Sequence, residues 1–322
     1  MLGAVVTKLN NVEKLGSTCK PSNTSAQKWI ANLSMNFAQR AGKTVLVDSS
    51  RLGPLGVQRA FYPDKTGCAH VYILHPPAGI VSGDILTLNT TLSENSQVLI
   101  TTPGAARFYR ARRGDAETSR QTQNINLTIS DGASVEYLPM ETLIYNQADA
   151  LNNIRINIQG AGQYIGWEIT CLGLPHIEQA FAQGNLSQST ALFHNGRCLF
   201  YDKIAINAAI GASSSVLSQQ VALGGHHVVG NMILFDGDAK SKQALLELPL
   251  PFVAYVVSIC RAAIEKLEAD ALVAVTELQN VVLVRYLGDS SEQCRFIFAT
   301  IWQDVRPTML NMRGIAPRIW HT

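Results

Sequence analysis

Residues 75–84 read HPPAGIVSGD, and residues 101–110 read TTPGAARFYR in the same grammar. Each stretch follows a run of β-branched or aromatic residues, begins with proline punctuation and contains glycine. Pro76, Pro77 and Pro103 fix φ and remove backbone donors, whereas Gly79, Gly83 and Gly104 supply φ > 0 or close backbone approach. Both stretches therefore read as rigid corners between strands. His75 opens the first, and Asp84 closes it with an acid that the local pattern does not require. The plain alternative is ordinary turn punctuation.

Working outward, strands flank both corners. Trp29, Ala31, Leu33, Met35 and Phe37 alternate with polar partners, and residues 44–47 form a short β-branched run after Gly42-Lys43. Residues 71–74 lead into the first corner, residues 85–90 leave it, and residues 98–102 lead into the second. Ile125, Leu127 and Ile129 run up to Asp131-Gly132, with Val135 and Tyr137 on the return, which reads as a hairpin. The pattern recurs at Ile154, Ile156 and Ile158, then Gly160-Ala161-Gly162, then residues 164–172, and further strands are expected at 190–193, 199–206, 228–235 and 272–287. Helical spacing appears only late. Val253, Val256, Val257, Cys260, Ile264 and Leu267 make one helix over 251–267; Ile297, Ile301 and Val305 make another over 290–306, capped by Asp289 or Ser290 and stopped by Pro307. The fold class is mostly β, a large stacked or rolled sheet system with two C-terminal helices. No exact repeat establishes a solenoid.

Composition bounds the rest. A chain of 322 residues, 47% apolar, can fill a sizeable core. Its formal charge of +2 points to neither nucleic acid nor an anionic membrane. The longest apolar run, residues 252–260, is far short of the roughly 20 residues that span a bilayer. With no cleavage-signal pattern at the N-terminus and six scattered cysteines lacking any CxxC pair, the chain is expected in the cytoplasm with reduced, mostly buried thiols. Residues 1–27 read as a loose polar leader and 28–322 as one domain.

No GxSxG, HExxH or GxxxxGKS motif is present. His70 and His75 fall on opposite strand faces, as do His226 and His227, while His176 and His194 are isolated. Arg107, Arg110, Arg112 and Arg113 form the densest positive patch; without a wider aromatic platform it suits a solvated loop or a protein-docking edge better than a nucleic-acid footprint. Three acids stand apart. Asp84 closes a corner, Glu168 follows Trp167 in an apolar strand, and Asp202 lies in the strand over 199–206. A carboxylate inside an apolar strand must be paired, face water or hold a cation. A buried ion pair or a solvent-facing residue is the structural alternative for each.

From about Trp29 onward the chain resembles the urease accessory protein UreD family, called UreH in some organisms. The carrying blocks, in family order, are GKTVL at Gly42, GPLGVQRAFYP at Gly53, the two corners, EYLPMETLIY at Glu136, WEITCLGLP at Trp167, WQDVRP at Trp302 and PRIWHT at the end. The resemblance implies a scaffold in urease maturation rather than an enzyme. Such a scaffold binds a UreF-type partner, which recruits a UreG-type GTPase, and docks on urease apoprotein to deliver nickel. GTP belongs to the partner; this chain holds no tight cofactor and handles nickel as cargo. The resemblance also implies that Asp84, Glu168 and Asp202 match acids of an internal water-filled nickel tunnel. Departures fall at Ala78, Ser82, Met140 and Leu174, and Leu174 removes a charge where arginine is common. Two other classes predict different geometry. A metal-dependent hydrolase would gather His70, His75 and Glu168 as ligands, and a sugar- or peptide-binding module would expose Trp167 and Tyr164 in a groove.

Overall fold

The computed structural model describes residues 29–321 except 78, 113–118, 175–176, 178, 209–215 and 268–270. The leader, Ala78, Arg113 and His176 therefore lie outside the described residues, as does Cys19. Strands β1 (Ile30–Arg40) and β2 (Lys43–Leu52) form a hairpin; β3 (Gly56–Val57) and β4 (Ala69–Leu74) open a second sheet. From there the chain alternates between sheets. Strand β5 (Ile85–Leu92) lies in the first, β6 (Gln97–Thr101) in the second, β8 (Gln121–Ile129) in the first, β9 (Ser134–Tyr137) in the second, β11 (Asp149–Ile158) in the first and β12 (Gln163–Leu174) in the second. Short strands β7 (Ala106–Phe108), β10 (Thr142–Ile144) and β13 (Gln179–Ala180) pair off the main path. Strands β14 (Gly184–His194) and β15 (Arg197–Ala208) finish the first sheet with a hairpin; β16 (Val228–Asp236), β17 (Leu272–Leu278) and β18 (Val281–Gly288) finish the second.

This is a mostly β architecture, as expected, but its pairing differs from the sequence reading. Strands β8 and β9 are not a hairpin: each pairs in parallel within its own sheet, and Asp131-Gly132 is an arch that carries the chain across. Gly160-Ala161-Gly162 does the same one coil later. The arches stack. The Asp131 carbonyl accepts from the Asn95 N–H at 3.1 Å, and its carboxylate accepts from the Ala161 N–H at 2.6 Å. The first sheet thus contains a parallel run β1-β5-β8-β11-β14, and the second a parallel run β4-β6-β9-β12. Leu88, Ile125, Ile154 and Thr190 stand side by side in register, at steps of 37, 29 and 36 residues between positions 88, 125, 154 and 190. The coil is present in space without a constant period in sequence.

Two hydrophobic layers follow. Leu88, Ile125, Ile154, Val135 and Phe37 fill the space between the sheets. On the outer face of the second sheet, Trp167, Ile169, Val284 and Met232 pack against α2 (Phe252–Glu265) and α3 (Ser291–Leu310). Strand β12 is buried on both faces, which is why QYIGWEITCLGL reads as a nearly continuous apolar run. The short helix α1 (Ala239–Leu245) has no buried residue and no apolar stripe to announce it. Ser290 caps α3 by accepting from the Gln293 N–H at 3.1 Å. Pro307 does not stop the helix, which runs to Leu310 and ends at Asn311 in the left-handed region at φ 54°. Proline costs its own N–H and crowds the carbonyl four residues earlier, and the packing of Val305, Met309 and Leu310 against the second core outweighs that. Trp29 precedes β1 and is half exposed rather than part of the alternating core face. Cys68, Cys171, Cys260 and Cys294 are buried, and Cys198 is exposed.

Candidate functional site

The two corners are neighbours. Ile80 of the first pairs with Phe108 at the end of the second: its N–H donates to the Arg107 carbonyl at 2.7 Å and its carbonyl accepts from the Tyr109 N–H at 3.1 Å. Buried Gln121 locks them together by donating to the carbonyls of Ile80 and Tyr109, both at 2.7 Å. Gly79 is required by close approach, since a Cβ there would sit 2.0 Å from the Tyr109 ring. Gly83 is required by its φ of +85°. Gly104 needs neither explanation, because it is not left-handed and nothing lies within 4 Å of an added Cβ. Pro103 and Gly104 border a cavity of about 290 Å³ between the sheets, whose wall is mostly aliphatic with His75, Thr102, Arg107, Gln123 and Tyr137 as polar members.

Asp84 is buried beside this corner and closes its own turn, its carboxylate accepting from the Val81 N–H at 3.0 Å. Burial holds the His75 imidazole below its ordinary value, and the nearby Asp84 charge opposes that only in part. Beyond Tyr137 the space between the sheets turns polar. Inward-facing Gln123 donates to Asn152 at 3.2 Å, and Thr170 donates to Gln188 at 2.8 Å. Deeper still, Glu168 accepts from the Thr190 hydroxyl, and Thr190 lies opposite Asp202 in the β14/β15 register. Asn231, opposite Glu168 on β16, donates to Asp202 at 3.4 Å, and Arg285 pairs with the other Asp202 oxygen at 3.1 Å. Glu168 and Asp202 therefore share one cluster, whereas Asp84 lies apart, near the His75 end of the cavity.

Glu168 is the unusual group. Burial pushes its carboxyl up to about 7; the Thr190 hydrogen bond pulls it down, and the Asp202 charge adds to the rise. Its Oε1 is buried with no hydrogen-bond partner. Tyr137 and Tyr164 are buried within reach of its charge, which reinforces the effect of burial in holding both phenols above their ordinary range. Among the described residues no three His, Cys, Asp or Glu side chains are grouped to hold a metal ion. The hydrolase reading fails on placement: His70 is buried beside Asp64 at 3.7 Å, His75 borders the cavity, and Glu168 belongs to the Asp202 cluster. The exposed-groove reading fails too, since Trp167 and Tyr164 are both buried. His226 pairs with Asp289 at 3.0 Å, and His194 stacks on Phe235.

Residues 30–321 match the UreD urease accessory protein family. The chain belongs to that family. It is 38% identical to the urease accessory protein UreD of Psychromonas ingrahamii, with both chains covered completely. It is 36% identical to the UreD of Marinomonas sp., covering 92% of this chain and 91% of the other, and 32% identical to UreD 2 of Brucella anthropi, covering 91% and 98%. Membership of the UreD family gives the chain a role in urease maturation.

The blocks that carry the UreD resemblance meet in space, at a junction the sequence reading missed. Arg306 of α3 is wholly buried and grips Glu136 of β9 through two hydrogen bonds, at 2.8 and 2.9 Å. It also reaches Asp64 at 3.1 Å and the Arg313 carbonyl. Trp302 donates to Glu136 at 2.5 Å, Trp167 to the Pro139 carbonyl at 2.7 Å and Trp320 to Thr101 at 3.0 Å. The three tryptophans pack in sequence, with ring centroids 5.4 and 5.5 Å apart. Burial pushes the Glu136 carboxyl up while Arg306 and Trp302 pull it back; burial opposes the Arg306 charge, and Glu136 restores it. The signal was an arginine at helical spacing from Trp302, on the apolar stripe of α3.

Proposed function

We propose that this chain is a non-catalytic scaffold of urease maturation that passes nickel along the seam between its two sheets. It binds a UreF-type partner, which brings a UreG-type GTPase, and it docks on urease apoprotein. GTP is consumed by that GTPase, nickel is cargo rather than a resident cofactor, and residues 28–322 act as one unit in the cytoplasm. The observation that carries the reading is Glu168, a buried carboxylate with one unpartnered oxygen and a second acid, Asp202, beside it. A lone carboxylate in such a place is costly unless it is neutral or meets a cation.

The donor set suits transit. Carboxylate, hydroxyl and amide oxygens are hard ligands that hold a divalent ion of nickel's class weakly, whereas a histidine and thiolate cage would retain it. Conduction needs sites that are favourable to enter and weak enough to leave. Glu168 with Thr190, and Asp202 with Asn231, would form one such station; the cavity reaching His75, beside Asp84, would lie at the other end. The test is co-expression with the urease subunits and the UreF- and UreG-type partners, changing Asp84, Glu168 and Asp202 each to alanine. The reading expects complexes that assemble normally and urease that emerges poor in nickel. Variants that assemble and activate urease as the parent does would make these acids structural and route the metal elsewhere.

A further inference from the structure

The register of the first sheet sorts its outer face into rows. Asn32, Thr87, Asn124, Asn153 and Ser189 make one row, cross-linked by Asn153 donating to Asn124 at 3.1 Å and Ser189 to Asn153 at 2.8 Å. The next begins Ser34, Asn89 and Asn126, with Asn126 donating to Asn89 at 2.9 Å. The centre of these rows is polar and cross-linked by its own hydrogen bonds, and charge enters further along, at Arg155 beside Asn126 and Lys203 beside Ser189. The row at the Asp84 end breaks the pattern: Ile30 stands beside Ile85, then Thr122, then Leu151. Trp29, whose carbonyl accepts from the Ile85 N–H, precedes Ile30 at the same end of the sheet, with Leu52 next to Asn32 and Val81 in the adjoining turn. Trp29, Ile30, Leu52, Val81 and Ile85 are 50, 57, 59, 40 and 37% exposed. Single exposed apolar side chains are ordinary, but a run of them along one sheet end, beside rows that are otherwise polar, marks an interaction surface.

The same end carries arginines fixed to the first corner. The Arg112 N–H donates to the Ser82 hydroxyl at 2.7 Å, and the Arg120 carbonyl accepts from the Gly83 N–H at 3.0 Å. Arg110, Arg112 and Arg120 are all exposed. Arg120 meets Asp149 only at 3.9 Å, and Asp149 is itself buried. We infer that this edge is a docking strip for a partner protein that presents an apolar segment flanked by carboxylates. Charge decides the class of occupant. A second copy docked across a two-fold axis would set arginine against arginine, which like-charge repulsion disfavours, whereas an acidic partner complements the rim and gains apolar burial at its centre.

The inference rests on the scaffold reading, because the partner is sought among the proteins that reading names. Binding of the purified full chain to the UreF-type protein and to urease apoprotein, measured separately, tests it with Ile85→Lys and Arg112→Glu, each checked by its melting curve. The expected result is that both variants weaken the same partner by about tenfold or more, and that parent binding to it falls as salt is raised past the range where exposed charges are screened. Arg112 is exposed, so Arg112→Glu remains informative if Ile85→Lys fails to fold. Both partners binding both variants as they bind the parent would overturn the strip; so would unchanged binding with an altered oligomeric state in ultracentrifugation, which would make it a self-contact. A parent chain that binds neither partner would defeat the scaffold reading itself and the strip with it.

Discussion

Replacing Arg306 with methionine removes the guanidinium that pairs with Glu136 and Asp64 in the second core while roughly keeping the volume of the side chain. Arg306 and Glu136 are 0% and 1% exposed, so water cannot take over the lost contacts. Two hydrogen bonds to Glu136, one to Asp64 and one to the Arg313 carbonyl go together. Breaking one side of a buried pair costs about 3–5 kcal/mol, mostly because the survivor is left charged and dry. The cost depends on pH in a defined direction. Without Arg306, the folded-state Glu136 carboxyl lies above its unfolded value, so folding takes up a proton; the variant is least impaired below about pH 4 and loses further stability as pH rises towards the raised folded value. Urea unfolding followed by tryptophan fluorescence suits the measurement, since Trp167, Trp302 and Trp320 pack around the site. Changing Glu136 to glutamine as well relieves the stranded charge, so the double variant is expected to be less impaired than the two single costs added together, by about 1–3 kcal/mol. A loss below about 1 kcal/mol for Arg306→Met, or strict additivity in the double variant, would refute the reasoning.

Other expectations follow from the same structure. Glu168 binds its proton more tightly folded than unfolded, so the stabilisation it brings is full below about pH 4.5 and is lost as pH rises to about 7. The swing is roughly 3 kcal/mol, and urea midpoints across that range should flatten in Glu168→Gln. Gly230→Ala would place a Cβ 2.4 Å from the Cys294 sulfur and 2.9 Å from the Phe298 ring, so α3 cannot seat on β16 without shifting; a loss of about 1–3 kcal/mol in urea unfolding is expected. Gly104→Ala meets nothing and should stay within about 0.5 kcal/mol of the parent by the same measurement.

Much of the fold was legible because the local rules carry through. The alternation of Ala31, Leu33, Met35 and Phe37 is the inward face of β1, and the apolar stripe of 253–264 is the packed face of α2. Pairing was not legible. A turn such as Asp131-Gly132 serves a hairpin or an arch equally well, and only the partner strands, dozens of residues away, decide between them. Two-residue hairpins do occur at Asn195-Gly196, Ala41-Gly42 and Gln279-Asn280, where both residues have positive φ, and of these the Asn-Gly pair is the sequence signal that went unread. Of the three acids, Glu168 and Asp202 share a cluster because β14 bridges between them, a relation no spacing in the chain encodes. Glu136 and Arg306 are 170 residues apart, and nothing local to either announces the other.

The central claim is that nickel reaches urease by way of Glu168. The most direct measurement is the nickel content of urease isolated from cells that co-express this chain, the partners and the urease subunits, comparing the parent with Glu168→Gln at matched amounts of assembled complex. Glutamine keeps the size of the side chain and can still accept from Thr190, so assembly should be unchanged. The account predicts a several-fold drop in nickel per urease. Parent-level nickel in urease matured by Glu168→Gln would contradict it.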